Sequence, residues 1–225
     1  MGTVDDLEHT TKAIESLGRK VVARKADVRD MSALQRVVSE ATQGLGPISI
    51  VIANAGIFAP GTKEPSAETV FRNVLDVNLI GVWNTVMAAA PSMRETGNGG
   101  AIVLTSSTAG LRGAGSDGTC RGQRLCRGQT CVVGLMRSFA HWLAKDNIRV
   151  NTVHPTGVET PVIINETVSA YLANNPEITQ ATVNLLEVPF VQTADISDAV
   201  VWLVSDYAKY VTDVALPVDA GSCAR

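Results

Sequence analysis

Four short polar clusters stand where apolar runs of this chain end, and each carries side chains able to do chemistry. They are Ala26-Asp27-Val28, Asn54-Ala55-Gly56, Thr105-Ser106-Ser107, and the stretch from His154 through Pro155 to Thr160. A carboxylate such as Asp27 can hold a ligand donor, and it can equally complement a helix dipole or close a turn. Asn54 and Gly56 can brace backbone beside a ligand; they can also form an ordinary turn in which Gly56 takes a positive φ and the Asn54 side chain bonds nearby amides. The Ser106 and Ser107 hydroxyls each donate and accept, or simply open a loop. His154 could act as a base at a strand end. Singly these readings are balanced; what carries information is the order in which the clusters recur.

A different cluster, Thr119 to Cys131, holds Cys120, Cys126 and Cys131 together with Arg121, Arg124 and Arg127. It contains no Cys-x-x-Cys pair, and the nearest histidine, His141, falls on the following helix, so no metal site is expected. The arginines have no interleaved aromatics for base stacking. With no apolar period for helix packing, the block reads as an exposed, unstructured segment. Cys223 is expected to be inert, and Trp83, Trp142 and Trp202 are read as helix packing.

The elements that position these residues follow from periodicity. Thr3 and Asp6 form a capping box ahead of Val4, Leu7, Ile14 and Leu17 at helical spacing, stopped by Gly18. Lys20 to Arg24 reads as a strand, Asp30 caps a helix closed by Gly44 and Gly46, and Ile48 to Ala53 reads as a strand covered on both faces. A long helix from about Ala67 to Ala90, a strand at Ala101 to Leu104, a helix from about Val132 to Lys145, a strand at Ile148 to Val153, a helix near Asp195 to Ser205 and a strand near Val214 to Val218 complete the alternation. The fold class is α/β, a doubly wound parallel sheet in one domain over 1–225, with ligands beyond the carboxyl ends of the strands. Residues 156–194, rich in Thr, Asn, Pro and Glu, read as an irregular insertion serving as a substrate lid.

Composition narrows the function. The 225 residues are 45% hydrophobic and 18% charged, with a net charge of −3, so a core is available and no positive excess exists to neutralise nucleic acid. The longest apolar run, Ile48 to Ala59 around Asn54, is about a dozen residues against the roughly 20 of a spanning helix, and the first residues lack a basic signal region. A soluble, cytoplasmic protein with no membrane or nucleic-acid partner is expected.

In this order and on this architecture, the four clusters resemble the short-chain dehydrogenases and reductases from Lys20 onward. The resemblance implies that Asp27 and Val28 contact a dinucleotide's adenine, that Asn54, Ala55 and Gly56 steady the central strand beside the cofactor, and that Asn78 holds a proton-relay water. It implies that Ser107, with Ser106 as the register alternative, orients the substrate, and that Pro155, Val158 and Thr160 wrap the nicotinamide; Thr156 departs from the usual Gly. The segments Val132 to Ser138, Arg149 to Pro155 and Leu216 to Gly221 are similar to the mycofactocin-associated, carveol dehydrogenase-like branch. From that resemblance follow NAD as cofactor, hydride transfer with small secondary alcohols or ketones, and a homo-oligomer, tetramer or dimer.

Two features depart from the family. No Gly-x-x-x-Gly-x-Gly turn for the pyrophosphate occurs, so the first βαβ unit of the sheet is expected to be missing, leaving free edges beside the Lys20 and Ile48 strands. The Tyr-x-x-x-Lys pair that moves the proton is also absent: the tyrosines are Tyr171, Tyr207 and Tyr210, and the pair belongs at Leu125 and Gln129. Arg124 to Thr130 can be written CGA CTA TGT CGC GGC CAA ACA; dropping one base and borrowing the next T gives Asp-Tyr-Val-Ala-Ala-Lys-His, with Tyr at 125 and Lys at 129. A pair of compensating frame changes around Gly118 and Cys131 is therefore expected, and with it either an oxidoreductase or a catalytically dead remnant that at most pairs with intact copies.

Overall fold

The computed structural model describes residues 3–58, 66–112, 122–181 and 183–224. Helix α1 (Val4–Ser16) starts as its sequence dictates: the Asp6 amide donates to the Thr3 hydroxyl at 3.1 Å and the Thr3 amide donates to the Asp6 carboxylate at 2.7 Å. Helix α2 (Met31–Leu45) is capped by Asp30, which accepts from the Ala33 amide at 3.0 Å, and ends at Gly46 with φ 94°. Between them, Lys20 to Arg24 forms no strand among the described residues. β-branched composition favours extended backbone, but a strand exists only when a neighbour takes its hydrogen bonds, and none is there to do so.

The sheet comprises β1 (Ile50–Ala53), β2 (Gly100–Thr105), β3 (Ile148–Pro155) and β4 (Ala215–Val218), in that spatial order and all parallel. One continuous helical stretch links β1 to β2: α3 (Ala67–Leu75), a π turn over Asp76–Ile80, and α4 (Gly81–Thr96). Its 29 residues Glu68–Thr96 are long and apolar enough to cross a membrane, more than the sequence reading allowed. Half of its most apolar window is nevertheless buried inside the domain, and Asn78 and Asn84 lie on its buried side. After β2 come α5 (Ala109–Arg112) and α6 (Gly122–Leu143), and α9 (Thr193–Val204) precedes β4. The insertion after β3 is not irregular: it carries α7 (Glu166–Ala173) and α8 (Pro176–Ala181).

Helices α4 and α6 cover one face of the sheet through Val82, Val86, Met93, Val132, Met136, Phe139 and Leu143, packed on Val51, Ala53, Ile102, Leu104, Ile148 and Val150. Helix α9 covers the other face, with Leu203 against Val103 and Val153. Register puts Ile52 beside Val103 on the α9 face, yet Ile50 and Ile52 remain 45% and 47% exposed. The strand expected to be covered on both faces is therefore roofed on one, because α9 packs on β2, β3 and β4 and reaches no further.

Helix α6 begins about ten residues before the expected Val132, inside the block read as unstructured. Backbone hydrogen bonding needs no apolar period, and the helix is drawn in by α5. A Cβ on Gly110 would lie 2.8 Å from the Gln129 backbone, so the two helices meet without a side chain between them. Thr130 donates to the Gly110 carbonyl at 3.0 Å and the Ser106 hydroxyl to the Gln129 carbonyl at 3.1 Å. Of the tryptophans, Trp142 packs against the core beside Phe139, with the Arg94 guanidinium 5.5 Å over its ring, whereas Trp83 and Trp202 stay substantially exposed.

Candidate active site

Parallel strands deliver their following loops to one edge of the sheet, and Asn54 to Gly56, Ser106 to Ser107 and Pro155 to Thr160 all gather there after β1, β2 and β3. The ordinary-turn reading of Asn54-Ala55-Gly56 does not hold: Gly56 takes no positive φ, and no hydrogen bond of the Asn54 side chain occurs among the described residues. The loop is braced from the side. Asn78 accepts from the Ile57 amide at 2.8 Å and donates to the Ile57 carbonyl at 2.9 Å, so its buried amide grips both main-chain groups of one residue of that loop. Asn78 sits in the π turn, where the Gly81 amide reaches back to the Asp76 carbonyl; such local widening is common at functional sites.

The two serines separate clearly. Ser106 is buried and its hydroxyl hydrogen is spent on the Gln129 carbonyl. Ser107 is half-buried; its hydroxyl accepts from the Ala109 amide at 3.2 Å, and its own hydrogen has no acceptor among the described residues. Ser107 is thus the one of the pair able to donate to an incoming oxygen. The neighbouring backbone is stitched to β3, with the Ser106 amide on the Val153 carbonyl at 2.9 Å and the Thr108 amide on the Pro155 carbonyl at 3.0 Å.

His154 lies within β3, which runs two residues past the Val153 end expected from the sequence. It is fully buried, with Nε2 2.7 Å from the Thr152 hydroxyl and Nδ1 2.9 Å from the Ser107 carbonyl oxygen. Burial holds its pKa below the ordinary 6.5 although the Ser107 carbonyl favours the proton. Beyond it, Val158 pairs with Val191 in a single parallel bridge, and the Thr156 hydroxyl donates to Asn184 at 3.0 Å, closing the base of the insertion. The Thr160 hydroxyl donates to the Val158 carbonyl at 3.4 Å, and the Thr160 carbonyl accepts from the Ile163 and Ile164 amides at 3.0 and 2.8 Å.

The Asp27-Val28 cluster is held from α4. Asn84 donates to the Val28 carbonyl at 2.8 Å, and Gly81 admits the Val28 side chain, which would lie 2.5 Å from a Cβ there. Asp27 is paired with Arg29, whose Nε bonds both carboxylate oxygens at 3.0 Å and whose Nη1 reaches Asn73 at 2.8 Å. That hydrogen bonding pulls the Asp27 pKa from 3.8 down to about 2. Asn84, Gly81, Arg29 and Asn73 were invisible in the sequence reading because each acts across a long chain separation or through an ordinary surface pattern.

At the expected Tyr and Lys positions, the Leu125 side chain lies outside the described residues, as do Cys120, the Cys126 side chain and the three arginines of the block. Gln129 is described: it is 7% exposed, and its Oε1 is buried with no hydrogen-bond partner among the described residues. Such a group costs about 1 to 3 kcal/mol relative to one that is satisfied. At Cys223, burial and Asp219 raise the thiol pKa to about 11. A cavity of about 500 Å³ opens at the opposite, N-terminal ends of β1, β2 and β3, lined by residues such as Ile50, Asn147 and Arg149, and shares none of these residues.

Comparison with known proteins agrees with this geometry. A family described as enoyl-(acyl carrier protein) reductase matches residues 3–222. The chain is 42% identical to the (-)-trans-carveol dehydrogenase of Rhodococcus erythropolis, over 99% of this chain and 82% of that protein. Among solved structures it resembles a short chain dehydrogenase from Mycobacterium paratuberculosis bound to NAD, with TM-score 0.91 and 37% identity over 100% of this chain and 82% of that one. A carveol dehydrogenase from Mycobacterium avium in complex with NAD matches with TM-score 0.89 and 36% identity, over 100% and 83%. The parallel α/β sheet, the edge loops and these likenesses lead to one statement: the chain belongs to the short-chain dehydrogenase/reductase family of oxidoreductases.

Proposed function

We propose that the chain is an NAD-dependent oxidoreductase of small secondary alcohols and the corresponding ketones, working in the cytoplasm as a dimer or tetramer. The observation that carries this reading is Ser107, held at the carboxyl edge of the sheet with its hydroxyl hydrogen uncommitted and facing the same edge as the Pro155 to Thr160 turn. Bound NAD supplies or accepts the hydride. The residues of this chain suit two parts of that cofactor. Asp27 and Val28 present a carboxylate and a clamped backbone for the adenine, and Asn54 to Gly56 with Pro155, Val158 and Thr160 bracket the nicotinamide end. Apolar side chains exposed on the insertion, among them Val162, Ile164, Leu185 and Leu186, favour an apolar substrate.

The residues suit the ribose less well, since Gln129 brings a neutral amide where a cation would hold ribose hydroxyls. The edge of β1 that would receive the neighbouring strand carries no partner among the described residues. Ser107 can therefore orient an oxygen, and among the described residues no side chain is bonded to its hydroxyl hydrogen. The orphaned Gln129 Oε1 favours a second reading, a catalytically dead remnant of a frameshifted gene that acts at most through oligomerisation. Titration of the purified chain with millimolar NADH, followed by fluorescence, separates the two: a saturable change is expected from the first reading, and no change at all assigns this polypeptide to the second. Sequencing the locus tests the frame change, which is refuted if the shifted frame does not encode Asp-Tyr-x-x-x-Lys.

A further inference from the structure

His154 is not used by the reaction just described, yet it is the only residue whose side chain ties the end of β3 to the Ser107 loop among the described contacts. Ser107 O is a carbonyl oxygen and can only accept, so the proton between it and Nδ1 belongs to the imidazole. With the ring fully buried and no carboxylate bonded to it, the neutral form is favoured, leaving Nε2 as acceptor from the Thr152 hydroxyl. Thr152 is itself fully buried, and its amide is fixed by the Val214 carbonyl at 2.9 Å, so the ring is anchored on a rigid strand. The Ser107 carbonyl takes a second donor, the Gly110 amide at 2.9 Å, which starts the turn into α5. The two donors fix the plane of the peptide that follows Ser107, and the Ala109 amide then meets the Ser107 hydroxyl from that same turn.

We infer that His154 is a positioning residue for Ser107: its Nδ1–H holds the Ser107 carbonyl from the interior and so sets the direction in which the Ser107 hydroxyl is presented at the sheet edge. The inference rests on the reading of Ser107 as the group that meets the substrate oxygen. It concerns the placement of Ser107 alone, so it can be tested without cofactor or turnover.

The experiment uses the whole chain and compares it with His154→Asn, His154→Gln and His154→Leu. Asn carries an amide N–H near the place of Nδ1, whereas Gln carries one near the place of Nε2. A side chain that merely fills the core would rank Gln, closer in volume, above Asn; one that holds Ser107 ranks Asn above Gln. Amide hydrogen exchange at Thr108 and Ala109 is expected to stay within about twofold of the native chain in His154→Asn and to rise about tenfold in His154→Gln and His154→Leu. Unchanged exchange in His154→Leu, or Gln rescuing better than Asn, overturns the inference. Should a variant not fold, nitrogen NMR of the native chain still decides: an Nδ1–H tautomer of His154 is expected, and an Nε2–H tautomer overturns it.

Discussion

Segments 3–49 and 100–155 hold their places by different means. The first consists of α1, an extended run and α2, and neither helix contributes a fully buried residue. Its attachments are local: the Val28 carbonyl on Asn84, Val28 against Gly81, Val22 beside Gly44, and Val38 against the core. The second segment supplies β2, β3 and the whole of α6, and Ile102, Leu104, Val132, Met136, Leu143 and Val150 are all fully enclosed. A helix of α1's length is marginal in water without packing, whereas a sheet covered on both faces has the whole domain's cooperativity behind it. The difference matters for function because the serine stands on the second segment, while the loop proposed to meet the adenine stands on the first.

Truncations test the contrast most severely. Met136→Ala or Leu143→Ala is expected to cost about 2 to 5 kcal/mol in chemical denaturation, while Leu17→Ala on α1 is expected to stay within about 0.5 kcal/mol. A comparable loss at Leu17 would break the comparison. Next comes Gly110→Ala, whose Cβ meets the Gln129 backbone at 2.8 Å and the Ser106 hydroxyl at 2.9 Å. A loss of about 1 to 3 kcal/mol is expected from forcing α5 off α6. Gln129→Met sharpens the account in the other direction: removing the orphaned Oε1 while keeping the volume should raise stability by about 1 kcal/mol in the same assay.

The smallest effect belongs to the first segment. The Asp27 pKa is lowered in the folded chain, so its contribution is present above pH 3.8 and fades as pH falls through about 2. The pair with Arg29 is about half exposed, and solvent screening keeps its weight in stability small. Arg29→Ala should return the Asp27 titration toward the ordinary carboxylate range, as read by NMR, with little change in the unfolding midpoint.

Much of this was legible in the residues. The capping pair Thr3 and Asp6, Asp30 and Gly46 fixed α1 and α2 through local chemistry, and the apolar runs fixed β2, β3 and β4. What escaped depends on partners distant in the chain. Lys20 to Arg24 has strand composition but no strand beside it, and Ile50 and Ile52 have strand composition but no roof. The first turns of α6 lack an apolar period and are positioned by backbone contacts to Gly110 and Ser106. Within the site, the clusters Asn54 to Gly56, Ser106 to Ser107 and Pro155 to Thr160 were visible because strands end there. The preference for Ser107 over Ser106 came from the resemblance, and its physical reason needed the Gln129 carbonyl; the role of His154 needed Thr152 and the Ser107 carbonyl to be seen on either side of one ring.

Native-state hydrogen exchange followed residue by residue tests the contrast most directly. The account predicts that amides of β2, β3 and the Val132 to Leu143 part of α6 exchange only through global unfolding, while those of α1 and residues 19–29 exchange by local opening, orders of magnitude faster. Equal protection of α1 and β3 would contradict it.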